Sequence, residues 1–375
     1  RGRERPAAAT AGSLTFAAPG GVNVVGYLDR TSGLAERARV LVDVLRTAGF
    51  DVTEWPVTTT ASPVGQHRSA AGPVTCHDTT VAVVTAPQFP GLVTSNPAPL
   101  AAGRVIGYWF WEVSLVPPEH RAAIDLVDEI WAPTAFVRDA YAAVTDTPVR
   151  LVPLPVPRPV ASDVTRHDVG LDDRFTFLVS FDHLSVMERK HPLGAIEAFV
   201  RAFPAGDEPV RLLVKSINGA VRPNRHATLL AAAGRDPRVD VVDDHAPEAE
   251  HMALLAHADC YVSLHRSEGL GLQPAAAMWL GTPVIASRYS GTLDLMDDDS
   301  AELVDVSLIA ARNTDGAYPP DAVWADPDLD QAAAAMRRVA TDADRRAAIV
   351  AAARARREAD ADLASAAAAV RDALT

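Results

Sequence analysis

Lysine is almost missing from this chain. Of 35 basic residues only Lys190 and Lys215 are lysines, and the other 33 are arginine. A lysine kept in such a background marks a position that needs a compact point charge, because the planar guanidinium fork is no substitute for it. Cysteine is equally scarce: Cys76 and Cys260 stand alone, which excludes a disulfide framework and predicts a reducing, cytoplasmic setting. No apolar run approaches the ~18 residues a bilayer span requires, so no stable membrane insertion is expected. Positive charge is in deficit, with a formal net charge of −13. That deficit excludes a nucleic-acid partner and tight adsorption to anionic lipid. The sequence holds no HExxH or Cys-x-x-Cys spacing, no GxxxxGK[ST] loop and no GxSxG elbow, so zinc hydrolysis, P-loop chemistry and α/β-hydrolase chemistry are not expected. Acidic strings at Asp297 to Asp299, Asp328 to Asp330 and Asp342 to Asp344 fall in loops and helix starts, and no metal is expected.

What is present is a globular composition, 48% hydrophobic and 22% charged over 375 residues, enough for two domains. The opening RGRERPAAATAGS lacks an apolar core and predicts a flexible tail over 1–13, not a secretory signal. From there strands and helices alternate. GVNVVGY reads as a buried strand, and apolar residues at 34, 38, 41, 42, 45 and 48 form one helical stripe closed by Gly49. Residues 58–80 carry no periodicity and predict a long surface loop. TVAVVTA and RVIGYWFWEV predict strands, the second ending at Glu112, an apolar-flanked acid with Trp109 on a face shared with Trp111. Prolines 153, 155, 157 and 159 predict a stiff extended connector, which divides a domain over 14–155 from one over 156–350. FTFLVSF, RLLVKSIN and CYVSL are the next strands. Pro192 begins a helix, and the tail from Asp326 reads as Ala-rich helix.

The stretch from His265 to Gly291 organises the second half. Glu268, Gly269, Leu270, Gly271 and Leu272 lie between strand CYVSL and helix AAAMWL, which Gly281 ends before strand PVIAS. In a doubly wound sheet the carboxyl ends of the strands hold the ligand. Here they offer a carboxylate, glycines that admit a close ligand, and a helix N-terminus. Ser290, Gly291 and Thr292 add backbone N–H groups like an anion nest. Arg189 and Lys190 follow a strand and precede the Pro192 helix, an arrangement suited to a diphosphate. Lys215 and Asn218 end another strand, where donor contact and surface pairing are both open. Ser32 and Gly33 sit in the loop before the first helix, also at a helix N-terminus. His265 is open between a satisfied buried histidine and a ligand contact.

SEGLGL, AAAMWLGTPVIAS, YSGTLDL and ERKHPLGAIEAF, with GYWFWE and EIWAPTAFVRD in the first half, resemble the retaining glycosyltransferases of family 4. The resemblance implies a GT-B fold: α/β, two Rossmann-like doubly wound parallel sheets facing across a cleft. It implies acceptor binding by the first domain and nucleotide-sugar binding by the second, with a helix over 351–375 packing back on the first. It puts Glu268 on the donor sugar's hydroxyls and Lys190 on the donor phosphates. The family's second glutamate, which holds the ribose, is replaced here by Ala276, and no acceptor-side histidine is found near Glu112. The expected reaction is retaining transfer of a hexose from a UDP- or GDP-linked sugar to a small-molecule or glycan hydroxyl. No cofactor or metal is expected beyond that co-substrate. A GT-B sugar-nucleotide epimerase and a non-catalytic sugar-nucleotide-binding subunit are the alternatives.

Overall fold

A computed structural model describes residues 15–16, 20–30, 32–58, 75–95, 98–101, 103–160, 162–312 and 316–375. The tail expected over 1–13 and most of the loop expected over 58–80 lie outside the described residues. Contacts divide the chain into two compact units, Arg1–Pro155 with Asp362–Thr375, and Val156–Ala361. Among the described residues no helix is long and apolar enough to cross a membrane.

In the first unit a two-stranded pair joins β1 (Thr15–Phe16) to β4 (Thr75–Cys76), the second of which lies inside the stretch that the sequence reads as loop. The main sheet contains β2 (Gly21–Gly26), β3 (Asp51–Pro56), β5 (Thr79–Val83), β6 (Arg104–Tyr108), β7 (Glu129–Ala132) and β8 (Val149–Leu151). All are parallel, in the order β3-β2-β5-β6-β7-β8. Helices α1 (Gly33–Thr47), α2 (Phe89–Ser95), α3 (Arg121–Ile124) and α4 (Ala135–Ala142) connect them. Thr134 caps α4 through its side chain, which accepts from the Val137 amide; the N–H groups of a first turn need such a partner. Strand β6 is shorter than expected, stopping at Tyr108, so Trp109 and Trp111 lie beyond the ladder. The Trp109 indole folds back over Gly107, where a Cβ would stand 2.3 Å from the ring. Both tryptophans are buried.

The second unit repeats the scheme. Its sheet has β9 (Phe175–Asp182), β10 (Val210–Ile217), β11 (Val239–Asp243), β12 (Cys260–Ser263), β13 (Val284–Ser287) and β14 (Glu302–Val304) in the order β11-β10-β9-β12-β13-β14. All these pairings are parallel. Helices α5 (Met187–Lys190), α6 (Pro192–Ala202), α7 (Pro223–Ala233), α8 (Glu248–His257) and α9 (Leu272–Leu280) link the strands, and an antiparallel pair, β15 (Val306–Ala310) with β16 (Val323–Pro327), precedes α10 (Leu329–Thr341) and α11 (Ala343–Asp360). Successive residues of a strand face opposite sides, and both sides are covered. Phe177, Val179 and Phe181 of β9 join one apolar core with Leu212 and Val214 of β10. Leu178 and Leu213 join the other, together with Ala276 and Met278 of α9. Both-face burial is why these strands read as near-continuous apolar runs.

The alanine-rich tail is three helices, not one. Asp328, Asp342 and Asp362 cap α10, α11 and α12 (Leu363–Leu374), each side chain accepting backbone N–H groups of its own first turn. Two of the acidic strings noticed in the sequence therefore serve as helix starts. The first unit resumes at Asp362, eleven residues later than the position 351 expected. Ala367, Val370 and Ala373 of α12 enter the core around α1, and Arg104 donates to the carbonyls of Ala373 (3.0 Å) and Leu374 (3.2 Å).

Arg104 also shares the buried carboxylate of Glu129 with Arg150 and the Trp131 indole. Burial alone raises the Glu129 pKa; hydrogen bonds from Arg104, Arg150 and Trp131 outweigh it and hold the group below its ordinary value. A depressed carboxylate contributes stability above its unfolded pKa and loses it as pH falls through the folded value. Glu129→Ala is therefore expected to cost about 2 kcal/mol at neutral pH, less than a fully buried pair because both arginines are partly exposed. Denaturant unfolding at pH 7 and in acid checks this, since the difference between variant and wild type must shrink as pH falls.

Candidate functional site

In the second unit the chain starts in mid-sheet at β9, runs outward to β11, then crosses back to β12 and continues to β14. The direction reverses between β9 and β12. At such a switch the two neighbouring exit loops diverge to opposite sheet faces and leave a crevice at the strands' carboxyl ends. The β9 exit leads to Arg189 and Lys190 on α5; the β12 exit carries residues 264–271. The crevice therefore receives the two cations from one side and Glu268 from the other.

The structure brings these three side chains together. Lys190 Nζ donates to Glu268 Oε1, and Arg189 Nη1 lies 3.1 Å from Oε2. Arg189 Nη1 also donates to the Ser267 carbonyl at 2.9 Å, and the Arg266 amide donates to the Arg189 carbonyl at 2.7 Å. The Glu268 side chain is 13% exposed, Arg189 6% and Lys190 26%, so the lysine is the most accessible of the three. Burial by itself pushes the Glu268 pKa up; the fields of Lys190 and Arg189 and the Lys190 hydrogen bond outweigh that and set it at about 2. The carboxylate is ionised at neutral pH, and its charge is matched within contact distance.

Backbone chemistry explains the small residues around it. The Gly291 amide donates to the Glu268 carbonyl at 2.9 Å, and a Cβ on Gly291 would meet the Gly269 carbonyl oxygen at 2.2 Å. The two loops touch backbone to backbone. Ser290 takes a left-handed φ of 67°, and its hydroxyl accepts from the Glu268 amide at 2.8 Å. Gly271, at φ 98°, caps α9 with the Thr292 methyl where its own Cβ would go. Leu270 is buried and Leu272 half-buried. His265 is a satisfied buried histidine: Nδ1 lies 3.0 Å from the Ser263 carbonyl, and Nε2 lies 3.2 Å from Thr292 Oγ1. Burial lowers its pKa, so the neutral ring ties the β12 and β13 exits together.

The remaining expected residues are placed as follows. Lys215 is buried and its ammonium pairs with Asp244, which is the surface-pairing alternative. Asn218, at φ 65°, donates to Asp182 Oδ1 at 2.7 Å and lies 3.0 Å from His245 Nε2. Ala276 is 8% exposed within an apolar core, so its methyl group packs where a ribose-binding glutamate was sought. In the first unit the reversal lies between β2 and β5, where Ser32 caps α1 by accepting from the Ala35 amide at 3.2 Å and Gly33 is exposed. Glu112 is half-buried, whereas Trp109 is fully buried against Phe89 and Tyr141. Trp109 is thus a core residue, the simpler of its two readings.

Sequence reasoning passed over His251 and Gln273, whose side chains meet at 2.8 Å beside the α9 N-terminus, and His120, which stands 3.0 Å from the Tyr141 hydroxyl. Neither pair carries a spacing that marks it, since the partners come from different elements.

Two expected outcomes follow from this geometry. Glu268→Gln leaves Arg189 and Lys190 without their shared carboxylate and is expected to cost about 2–3 kcal/mol at neutral pH. The folded pKa of Glu268 lies below its ordinary 4.5, so its contribution is complete above about 4.5 and is lost as pH falls towards about 2. Acid unfolding should accordingly be shallower in the variant over that window. Gly291→Ala forces Gly269 and residue 291 apart and is expected to lower stability by about 1–3 kcal/mol, measured as a shift in the denaturant midpoint at unchanged slope.

The fold has close parallels among solved structures. Staphylococcus aureus TarM, solved with UDP, matches with a TM-score of 0.56 and 12% identity over 78% of this chain, which spans about half (54%) of the TarM chain. Anabaena HepE in complex with UDP and glucose matches with a TM-score of 0.66 and 14% identity, over 95% of this chain and 99% of that one. Sucrose-phosphate synthase from Thermosynechococcus elongatus matches at 0.64 and 15%, over 95% and 98%. No curated protein matches the sequence. At these identities the likeness establishes the fold, which is GT-B. A family model described as family 4 glycosyltransferase in conflict systems matches residues 140–372, well over half of the chain and including the whole Glu268 site. The chain belongs to that family of glycosyltransferases.

Proposed function

We propose that this protein transfers a hexose, with retention of anomeric configuration, from a UDP- or GDP-linked sugar to a hydroxyl of a small-molecule or glycan acceptor. The observation that supports this reading best is the Glu268 carboxylate shared by Arg189 and Lys190 at the switch point of the second sheet. A donor diphosphate carries the charge that these cations hold in Glu268. On binding, its phosphate oxygens take over Lys190 and Arg189, and the Glu268 carboxylate turns to the sugar hydroxyls. As the bond from the anomeric carbon to the phosphate oxygen stretches, negative charge builds on the leaving group beside the two cations. Groups already in place for such charge are worth roughly 2.7–4 kcal/mol each, by analogy with oxyanion donors.

The acceptor oxygen adds to the anomeric carbon from the face the diphosphate leaves. The acceptor's proton passes to the departing phosphate oxygen. In this reading no metal is needed at the diphosphate. With Ala276 packed in the core, the ribose is held by other groups, the Gly269–Leu272 backbone and the Ser290–Thr292 turn being nearest in the fold. In the first unit Glu112 is the acceptor-side acid. The protein acts in the cytoplasm.

Lys190→Ala is expected to lower kcat/KM by at least about tenfold. Arg189 remains against Glu268, so the thermal midpoint should stay near that of wild type. The check is an acceptor screen with UDP- and GDP-sugars, each with a donor-only control. Equal activity in the variant removes lysine from the mechanism, and an epimerised free sugar in the donor-only control replaces transfer by epimerisation.

A further inference from the structure

Three side chains with metal-ligating chemistry converge in the second unit without any role in the Glu268 cluster. His183 directly follows β9, His226 lies in the first turn of α7, and Asp243 closes β11. One donor atom from each lies within 4.8 Å of the other two. His183 is fully buried (0% exposed), and neither of its ring nitrogens has a hydrogen-bond partner among the described residues; nor does Nδ1 of His226. A buried polar atom left unpaired costs about 1–3 kcal/mol, so three such atoms beside one carboxylate require an explanation. Ring stacking does not supply one. The His183 ring lies 4.7 Å from that of Phe181 and 5.3 Å from that of His226, contacts that leave its nitrogens unbonded.

Asp243 is prepared as a ligand. Ser216 Oγ donates to Oδ1 at 2.7 Å, and the Gly219 amide donates to Oδ2 at 2.9 Å, so the carboxylate is oriented with lone pairs still free. Gly219 keeps the intervening space open: a Cβ there would stand 2.5 Å from Asp243 Oδ2 and 2.7 Å from His226 Nδ1. Three donors no more than 4.8 Å apart share a point within about 2.8 Å of each, that is 4.8 Å divided by √3. Zinc–nitrogen and zinc–oxygen bonds are roughly 2.0–2.2 Å, so closure asks each side chain to move by less than about an ångström.

We propose that His183, His226 and Asp243 bind one divalent transition-metal ion of the zinc class, leaving a fourth position for water or a small ligand. Two imidazoles and one carboxylate select against magnesium and calcium, which take all-oxygen sites. The ligands are 43 and 17 residues apart and match no zinc spacing, which is why the sequence predicts no metal. The bound ion ties the exit of β9, the first turn of α7 and the end of β11 into one block. That block encloses Asn218 and Gly219, at the exit of β10. The proposed site stands whether or not the sugar-transfer reading holds.

Untagged protein stripped with a chelator and titrated with zinc(II) in a calorimeter tests this directly. Wild type is expected to take one equivalent and to gain in thermal midpoint on loading, and cobalt(II) in place of zinc should give the visible absorption of a low-coordinate nitrogen–oxygen site. His226→Gln and Asp243→Asn are half-buried changes that spare the buried His183, and both should lose the saturable equivalent while circular dichroism shows a folded chain. His245→Gln, a neighbouring histidine turned to Asn218, should keep it. Wild type without saturable zinc binding overturns the proposal, as does an equivalent retained in both ligand variants.

Discussion

The second unit is organised around one carboxylate that two cations must share. Glu268 lies 78 residues along the chain from Lys190, on the far side of the β9–β12 reversal, and burial by itself disfavours its charged form. Only because Arg189 and Lys190 arrive from the neighbouring exit loop does the charge persist in so dry a place. The arrangement imposes register on everything near it. The β9 exit must deliver its short helix to one side of the crevice, and the β12 exit must return to it by way of Ser267, whose carbonyl accepts from Arg189.

That demand passes into the backbone. Two loops meet at van der Waals contact through Gly269 and Gly291, and Ser290 adopts a left-handed conformation that orients its hydroxyl to the Glu268 amide. His265, neutral and fully buried, holds the same two loops from below. The crevice floor is thus built from main-chain atoms and one imidazole, with few side chains that can shift. A rigid floor suits a site whose charges must already be in place when a leaving group departs, because no reorganisation is then needed during the reaction.

Arginine and lysine divide the work. Arginines spread their forks over several acceptors: Arg238 reaches Asp236, Glu208 and the Phe203 carbonyl, and Arg166 reaches Asp259 and three backbone carbonyls. These are scaffold contacts that use planar geometry. Both lysines stand near strand exits of the second sheet, each ammonium pairing with one carboxylate, Glu268 for Lys190 and Asp244 for Lys215, and Lys215 also donates to the Asp244 carbonyl. A point charge on a flexible stem can exchange partners more readily than a fork bound at several atoms.

Much of this architecture was legible in the sequence alone, because much of it is local. Continuous apolar runs marked β2, β9, β12 and β13, and period-3.6 stripes marked α1 and α6. Gly281 and Gly49, both at positive φ, announced helix ends because their backbone conformations exclude most side chains. Scarcity drew attention to Lys190, and the glycines beside Glu268 to its loop. The tertiary structure decided what no local pattern encodes. It set the strand order that creates the reversal, the meeting of Glu268 with Lys190, and the choice of Asp244 as partner of Lys215. It also folded Trp109 over Gly107, paired β15 with β16, returned α12 to the first unit and gathered His183, His226 and Asp243. Each of these depends on contacts between residues distant along the chain, and their free energy exists only once the sheets have formed.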